Sequence, residues 1–289
     1  MIVRLRLLLI CEDEVKAQEG SYTGFLVRGL VYDLLNRVDK RLADRLHTEK
    51  GAPSPFSVKP PYTLSEGRLR IFTGRVPSQR SFYVEVSTIK EDLVDVFCKA
   101  LLQLPDGKAT LSNSVVHVLS LDIDRVRSSE LREADVINKF AIKFITPTFF
   151  REHIPKAERK VEKVRVVPLP DPIRLFTGLY NLWNAYLRPK VPDDYLDWLR
   201  QRPILVAGFK DLRTHRFWEH PHKGVFAIGF TGTVYYSLAQ DTYDGKMARW
   251  THRLLRLAEY TNVGGNRTAG YGWIVYKAFM DKPRKFNHT

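Results

Sequence analysis

The order of predicted secondary-structure elements most limits how this chain can fold, because one order occurs twice. Hydrophobic periodicity predicts strand, helix, two or more strands, helix and strand in the first half, and the second half repeats that order. Each half is then a βαββαβ unit, the element order of a ferredoxin-like, RRM-like domain. The sequence therefore predicts an α+β protein made of two tandem ferredoxin-like domains. The predicted strands are 1–11, 56–62, 69–73, 81–86, 115–126, 138–145, 204–217, 225–238 and 271–278, and the predicted helices are 22–38, 40–46, 90–104, 173–187, 194–202 and 246–260.

The polar, charged segment 127–135 is the predicted joint between the two units. We expect an N-terminal domain over 1–130, a C-terminal domain over 136–280, and a basic, frayed tail over 281–289. Pro147 is expected to end the first strand of the second unit, because proline cannot donate to a strand ladder.

A glycine-rich loop within 262–276 lies between a predicted helix and the last predicted strand. It contains four glycines around an arginine: Gly264, Gly265, Gly270, Gly272 and Arg267. Glycine tolerates positive φ and lets other backbone approach closely, so such a loop in a basic protein favours a cradle for a phosphate chain. The order excludes a dinucleotide-binding fold, in which the glycines separate a strand from the helix that they open. A hairpin that needs glycines only for its turns is the alternative.

The formal net charge of +14 constrains the partner. A surplus of that size favours nucleic acid or an anionic membrane surface. No lipidation signal or basic amphipathic anchor stands out, and no apolar run approaches the ~20 residues that cross a bilayer, so nucleic acid is expected. A heat-adapted surface is the alternative, but it does not explain the one-sided sign. Cys11 and Cys98, at no metal-like spacing, predict a reducing compartment, the cytoplasm, and no disulfide framework.

Four segments occur in an order that matches a known family. They are Gly29–Tyr32 on the first predicted helix, Leu46–His47 after the second, Phe144–Phe150 at the opening of the second half, and the glycine-rich loop. Together with the tandem fold, they resemble the Cas6 family, the CRISPR-associated endoribonucleases that cut repeat RNA. The resemblance covers nearly the whole chain. It implies binding of one repeat of precursor CRISPR RNA and a single cut without metal or other cofactor, leaving a 2′,3′-cyclic phosphate and a 5′-hydroxyl. A larger CRISPR effector complex and a second copy of the chain are further candidate partners, whereas a membrane is not.

The resemblance also implies the candidate catalytic residues. Many family members have a tyrosine on the first helix, a histidine shortly after it and a nearby lysine; these match Tyr32, His47 and Lys50, with Lys59 as the alternative lysine. Cutting RNA by its own 2′-hydroxyl needs a base, an acid and fixed positive charge. Histidine suits the base because its unperturbed pKa lies near neutrality, tyrosine can donate the proton, and lysine stabilises developing charge. We therefore predict His47 as base, Tyr32 as acid or orienting donor and Lys50 as electrostatic stabiliser. The alternative for His47 is a surface histidine at a helix end.

Contacts to RNA are predicted from cations and from the glycine-rich loop. Arg28 lies four residues before Tyr32 and therefore on the same helix face. Donors in the loop would contact phosphates, and Tyr271 and Trp273 would stack on bases, with core packing of Trp273 as the alternative. The predicted RNA-binding residues are Arg28, Lys59, Gly264, Gly265, Arg267, Thr268, Gly270 and Gly272.

No metal site is predicted, although histidines cluster in one segment. His215, His220 and His222 lie near Glu219, but their spacing matches no standard zinc pattern. Three other functions stay open: a repeat-RNA-binding protein that does not cleave, a backbone subunit of a CRISPR ribonucleoprotein, and a DNA-binding protein. Cleavage in EDTA and sensitivity to a 2′-deoxy substitution would separate them.

Overall fold

The computed structural model of the chain describes residues 1–17, 22–48, 51–131, 138–152, 165–220 and 225–279. In these ranges no helix is long and apolar enough to cross a membrane. The first half contains β1 (Ile2–Cys11), β2 (Val15–Lys16), α1 (Gly24–Val38), α2 (Lys40–Thr48), β3 (Phe56–Ser65), β4 (Arg68–Ile71), β5 (Arg75–Val76), β6 (Ser81–Thr88), α3 (Glu91–Leu102), a 3₁₀ turn (Pro105–Gly107), β7 (Lys108–Leu111) and β8 (Ser114–Val126).

The N-terminal sheet has the strand order β4-β3-β6-β1-β8-β7. Its four central strands, β3-β6-β1-β8, are connected through α1 and α3 as in a ferredoxin-like domain. Strand β1 shows why one face is closed: Val3, Leu5, Leu7 and Leu9 are buried, and the residues between them are half-buried. This period of two sends the apolar set into a core shared with α1 and α3.

The second half has the same architecture. Its elements are β9 (Lys139–Thr148), β10 (Phe150–Arg151), β11 (Val166–Val167), α4 (Pro172–Tyr186), α5 (Asp194–Arg200), β12 (Ile204–His220), β13 (Val225–Leu238), α6 (Gly245–Thr261), a 3₁₀ turn (Arg267–Ala269) and β14 (Ile274–Phe279). The sheet order β12-β13-β9-β14 is again that of a ferredoxin-like domain, and α4 and α6 pack over it in a second core. The predicted fold class, two tandem ferredoxin-like domains, is confirmed. The joint between the domains includes 132–137, outside the described residues, so the predicted boundaries stay predictions.

Several predicted strand ends are wrong by three residues, and two of them lie beside the glycine-rich loop. Strand β9 continues through Pro147 to Thr148, because the pairing between β9 and β13 shifts register between Phe144 and Thr148. Proline is tolerated at such an irregularity because no ladder N–H is needed there. Its carbonyl is used, since it accepts the Gly272 N–H at 3.2 Å. The last strand begins at Ile274 rather than residue 271, because the preceding residues turn back against β9.

Candidate functional site

Tyr32 and His47 meet at the surface of the N-terminal domain. Helix α1 buries Val27, Leu30 and Val31 against the sheet, which leaves Tyr32 half-buried at the edge of that apolar stripe. Helix α2 follows after one residue, and its last turn carries the exposed His47. The two rings lie edge to face, 5.6 Å between centroids at an interplanar angle of 86°.

The contacts around Tyr32 fix its ring and leave its hydroxyl lightly held. The Phe56 ring packs edge-on against it at 6.0 Å. The Arg28 guanidinium lies 5.6 Å from the ring centroid, a cation–π distance. The hydroxyl donates one long hydrogen bond, 3.4 Å, to the Leu46 carbonyl oxygen. A bond of that length is weak, so this hydroxyl can turn to another acceptor.

Only one of the two candidate lysines lies within the described residues. Lys50 lies outside the described residues. Lys59 is 6% exposed, and its ammonium forms a salt bridge with Glu85 at 2.7 Å. Its charge also lies 4.7 Å from the Trp273 ring centroid. The prediction that Lys59 contacts RNA is therefore wrong for this structure, because its cation already serves a buried carboxylate between the domains.

Glu85 is the centre of that buried network. Besides Lys59, it accepts hydrogen bonds from Tyr62 and from Arg6, the latter at 3.2 Å. Burial opposes ionisation of Glu85, but attraction to Lys59 and the bonds from Lys59 and Tyr62 outweigh it and lower the pKa of the carboxyl. The network is a structural centre under the C-terminal Trp273, whose ring lies 5.3 Å from that of Tyr62.

The glycine-rich loop packs against protein rather than forming a phosphate cradle. Three of its glycine N–H groups are used internally: Gly265 donates to Phe149, Gly270 to Arg267 and Gly272 to Pro147. At Gly272, φ is +72° and a Cβ would lie 1.7 Å from the Val263 carbonyl oxygen, so only glycine fits. The predicted phosphate contacts of Gly265, Gly270 and Gly272 are wrong here, because their N–H groups are occupied. Gly264 is exposed, and its contact stays a prediction. The alternative, glycines required by turns and close approach, describes the loop.

Arg267 also faces inward. Its guanidinium donates to the Thr261 carbonyl at 2.9 Å and to the Ser54 carbonyl at 2.8 Å. Burial lowers its pKa to about 10, which still leaves it cationic at neutral pH. The predicted phosphate contact is therefore wrong for this arrangement, since the fork of the side chain is occupied by two backbone oxygens. Thr268 is half-buried beside it.

The two predicted stacking aromatics are buried. Tyr271 is 0% exposed and packs against Tyr22 and Phe217, whose ring centroids are 5.1 and 4.4 Å from its own. Trp273 is 7% exposed, over Lys59. Neither ring is open to a nucleotide base, so the core alternative is the correct one for Trp273.

Sequence reasoning missed a basic groove between the domains. It has a volume of about 1250 Å³ and is lined by the segment 67–74 of the N-terminal domain and by strands β9, β12, β13 and β14. Among its described lining residues, Asp211 is the one carboxylate. The basic side chains that line it are Arg68, Lys143, Arg213, His215 and Arg216.

Beside the groove, one of its cations lies over an aromatic ring. The Arg216 guanidinium lies 4.0 Å from the ring centroid of the exposed Phe226, and His215 bonds Thr231 at 2.7 Å. Tyr22 lines the groove just before α1. Tyr32 is eight residues beyond Gly24, about 12 Å along the helix axis. Helix α1 therefore runs from the groove to the Tyr32–His47 pair.

The surface beside the pair is also cationic. Helix α2 exposes Lys40, Arg41 and Arg45, and no carboxylate of the described chain forms a salt bridge with them. Among the described residues no group of three or more histidine, cysteine or acidic side chains could hold a metal ion. His222 lies outside the described ranges, so the histidine segment is only partly covered.

Fold and site together define a class: proteins with two tandem ferredoxin-like domains and a basic groove between them. The sequence profile described as CRISPR-associated endoribonuclease Cas6 matches residues 142–274, most of the C-terminal domain. A Thermus thermophilus Cas6 in a product complex is 26% identical to the chain, with a TM-score of 0.76, over 96% of this chain and 99% of that one. The chain is therefore similar to the Cas6 family in the sequence of its C-terminal domain and in its whole fold.

Two more distant structures share the fold. A Cas6 in complex with a substrate mimic is 22% identical, with a TM-score of 0.64, over 96% of this chain and 99% of that one. A Cas6-related protein from Pyrococcus furiosus is 9% identical, with a TM-score of 0.58, over 98% and 100%. No curated protein matches the chain in sequence.

Proposed function

We propose that this chain binds the repeat of precursor CRISPR RNA and cuts it once, without a metal ion, by attack of a ribose 2′-hydroxyl. The contact between the Tyr32 and His47 rings carries the proposal. It unites two residues from separate helices whose chemistry suits proton transfer, in a chain similar to a family of endoribonucleases. The similarity to a Cas6 product complex over 96% of the chain supports RNA as the substrate.

In the proposed reaction the polar ends of the two rings, the His47 imidazole nitrogen and the Tyr32 hydroxyl, act on the attacking and the leaving oxygen of one phosphate. The exposed imidazole of His47 accepts the proton of the 2′-hydroxyl as its oxygen attacks phosphorus. The bond from phosphorus to the 5′ oxygen breaks, and that oxygen takes up a proton. The proton comes from the Tyr32 hydroxyl, released from its 3.4 Å bond to Leu46, or from water while Tyr32 donates a hydrogen bond. The products are a 2′,3′-cyclic phosphate and a 5′-hydroxyl. Positive charge for the transition state would come from Lys50 and from Arg28, which lies over the Tyr32 ring.

The basic groove is the proposed track for the rest of the RNA. Its cations lie on both domains, so a strand between them would contact each. The exposed cations of α2 lie next to His47 and would hold the phosphates nearest the cut. Because α1 joins the groove to the site over about 12 Å, one strand can occupy both.

The test uses the repeat RNA of the genome that encodes the chain, intact or with a single 2′-deoxyribose at the cut. In EDTA we expect the intact RNA to be cut once and the deoxy RNA to be bound with the same affinity but left whole. Loss of cleavage in EDTA would overturn the metal-independent mechanism. Tight binding without any cleavage would favour the non-cleaving repeat binder. Equal binding to a matching single-stranded DNA would favour the DNA-binding alternative.

If RNA occupies the groove, replacing its cations should weaken RNA binding. Arg213→Ala and Lys143→Ala are each expected to weaken RNA binding about tenfold or more, because each removes a charge-assisted contact. Each should also make the log–log salt slope less negative by about 0.7. The single-turnover rate at saturating RNA should not change. Affinity measured over a range of salt concentrations checks this.

Arg200→Ala is the matched control, because Arg200 is an exposed arginine of α5 paired with Asp197. Unchanged affinity in both groove variants would remove the groove from the RNA path.

A further inference from the structure

A short strap of the N-terminal domain, Pro53–Pro55, is held at every residue. The Pro53 carbonyl accepts the Tyr186 hydroxyl at 2.6 Å, and the Ser54 carbonyl accepts Arg267 at 2.8 Å. The Pro55 carbonyl accepts the backbone N–H of Ile89 at 3.0 Å. Both prolines also fix φ, so the strap has little freedom left. Two of its three donors belong to the C-terminal domain.

The strap leads directly into the wall of the candidate site. Phe56, the next residue, opens β3, and its carbonyl is within 3.4 Å of the Ser54 hydroxyl, which donates to it. The Phe56 ring packs against Tyr32, which in turn packs against His47. A chain of direct contacts therefore connects the Arg267 guanidinium to both proposed catalytic rings.

The donor side is as firmly fixed as the strap. Arg267 bonds Thr261 with its other terminal nitrogen, and Thr261 ends α6. Next to it, the Asn262 amide donates to the Val58 carbonyl at 2.9 Å, two residues beyond Phe56. The end of α6 and the glycine-rich loop thus hold β3 at successive points.

We propose that Arg267 is a positioning residue: it holds the strap, and through Phe56 it sets the placement of Tyr32 against His47. The C-terminal domain then completes a site whose reacting groups all belong to the N-terminal domain. This inference rests on the proposed function for its kinetic consequence, but its geometric consequence can be measured without cleavage.

Arginine suits this role better than lysine. Its planar guanidinium presents several N–H donors in a rigid fork, so it can reach the Ser54 and Thr261 carbonyls together. A lysine at the same position has one ammonium on a flexible stem and cannot fix both oxygens in that geometry. Arg267→Lys therefore keeps the charge and removes the rigid link.

The first experiment compares Arg267→Lys with wild type in RNA binding and single-turnover cleavage of the repeat RNA. We expect the cleavage rate at saturating RNA to fall about 10²-fold, as for a misplacement of about 1 Å, with Kd and its salt slope unchanged. Arg200→Lys is the matched control and should equal wild type. A weaker Kd, a salt slope reduced by about 0.7 and an unchanged rate would instead make Arg267 a phosphate ligand and overturn the proposal.

The second experiment reads the site without RNA. In a ¹³C-histidine-labelled chain, the ring proton signal of His47, assigned with His47→Gln, reports the ring current of Tyr32. Arg267→Lys should move that signal toward the value of an exposed histidine, and Arg200→Lys should not. An unmoved signal would overturn the positioning role even in a chain that cleaves. A moved signal in a chain that never cleaves would keep it and reject the proposed function.

Tyr186→Phe gives an independent variant if Arg267→Lys does not fold. It removes only the hydroxyl that holds Pro53, so the protein should fold. The His47 signal should move in the same direction by a smaller amount. An unmoved signal in this variant would overturn the proposal.

Discussion

Replacing His47 with alanine is expected to slow single-turnover cleavage of the repeat RNA by about 10²–10⁴-fold, the usual contribution of one acid or base. His47 is exposed at the end of α2 and packs against the half-buried Tyr32. The change should therefore leave folding and RNA affinity nearly intact. Rates at saturating RNA over a range of pH, with Kd measured on the 2′-deoxy RNA, separate the two effects. Tyr32→Phe, which removes only the hydroxyl, should also slow the chemical step.

His117→Ala is the matched control. His117 is a half-buried histidine of β8 that bonds Glu12 at 2.7 Å, and its replacement should not change the rate. An undiminished rate in His47→Ala would remove His47 from the mechanism. A loss of affinity with a normal rate at saturation would instead make His47 an RNA-binding residue.

Lys59→Met is expected to destabilise the protein by about 3–5 kcal/mol, because it leaves the buried carboxylate of Glu85 without its principal counter-charge. The side chains of Lys59 and Glu85 are 7% and 3% exposed, so water cannot replace the lost partner. Urea unfolding at neutral pH measures the change. The double variant Lys59→Met/Glu85→Gln should recover part of the loss, because no buried charge is left unpaired. A single variant as stable as wild type would show that the network contributes nothing to the fold.

The same network predicts a dependence of stability on pH. The pKa of Glu85 is lowered below 4.5 in the folded state. A group of this kind stabilises the folded state above its unfolded pKa, and that contribution is lost as pH falls through the folded pKa. The stability difference between wild type and Glu85→Gln should therefore be constant above about pH 5 and shrink below 4.5. A difference that is already lost at pH 6 would contradict this assignment.

The fold was predictable because its signals are local. Alternation in β1 and the helical stripe of α1 are each visible within a dozen residues, and their order along the chain specifies the ferredoxin-like topology. The contact between Tyr32 and His47 could be predicted for the same reason, since the two residues lie on consecutive helices. The family resemblance then attached chemistry to that pair.

The roles of Lys59 and Arg267 could not be read in this way. A cation in a sequence is equally suited to a phosphate and to a buried oxygen of the same protein. Arg267 meets Ser54 across 213 residues of chain, and the partner of Lys59 is on another strand. The basic groove could not be predicted from the sequence for a related reason: its two walls come from different domains. Only the assembled tertiary structure decides which cations remain at the surface.

The strap also bears on how the protein is made. A ribosome synthesises Ser54 long before Arg267. The N-terminal domain, which folds first during synthesis, would therefore lack the Arg267 hydrogen bond to the Ser54 carbonyl until Arg267 emerged. If Arg267 holds the strap as proposed, the full cleavage rate is reached only after Arg267 has been translated and has docked. The incomplete polypeptide would then cleave RNA slowly during synthesis, because Arg267 is encoded late in the chain.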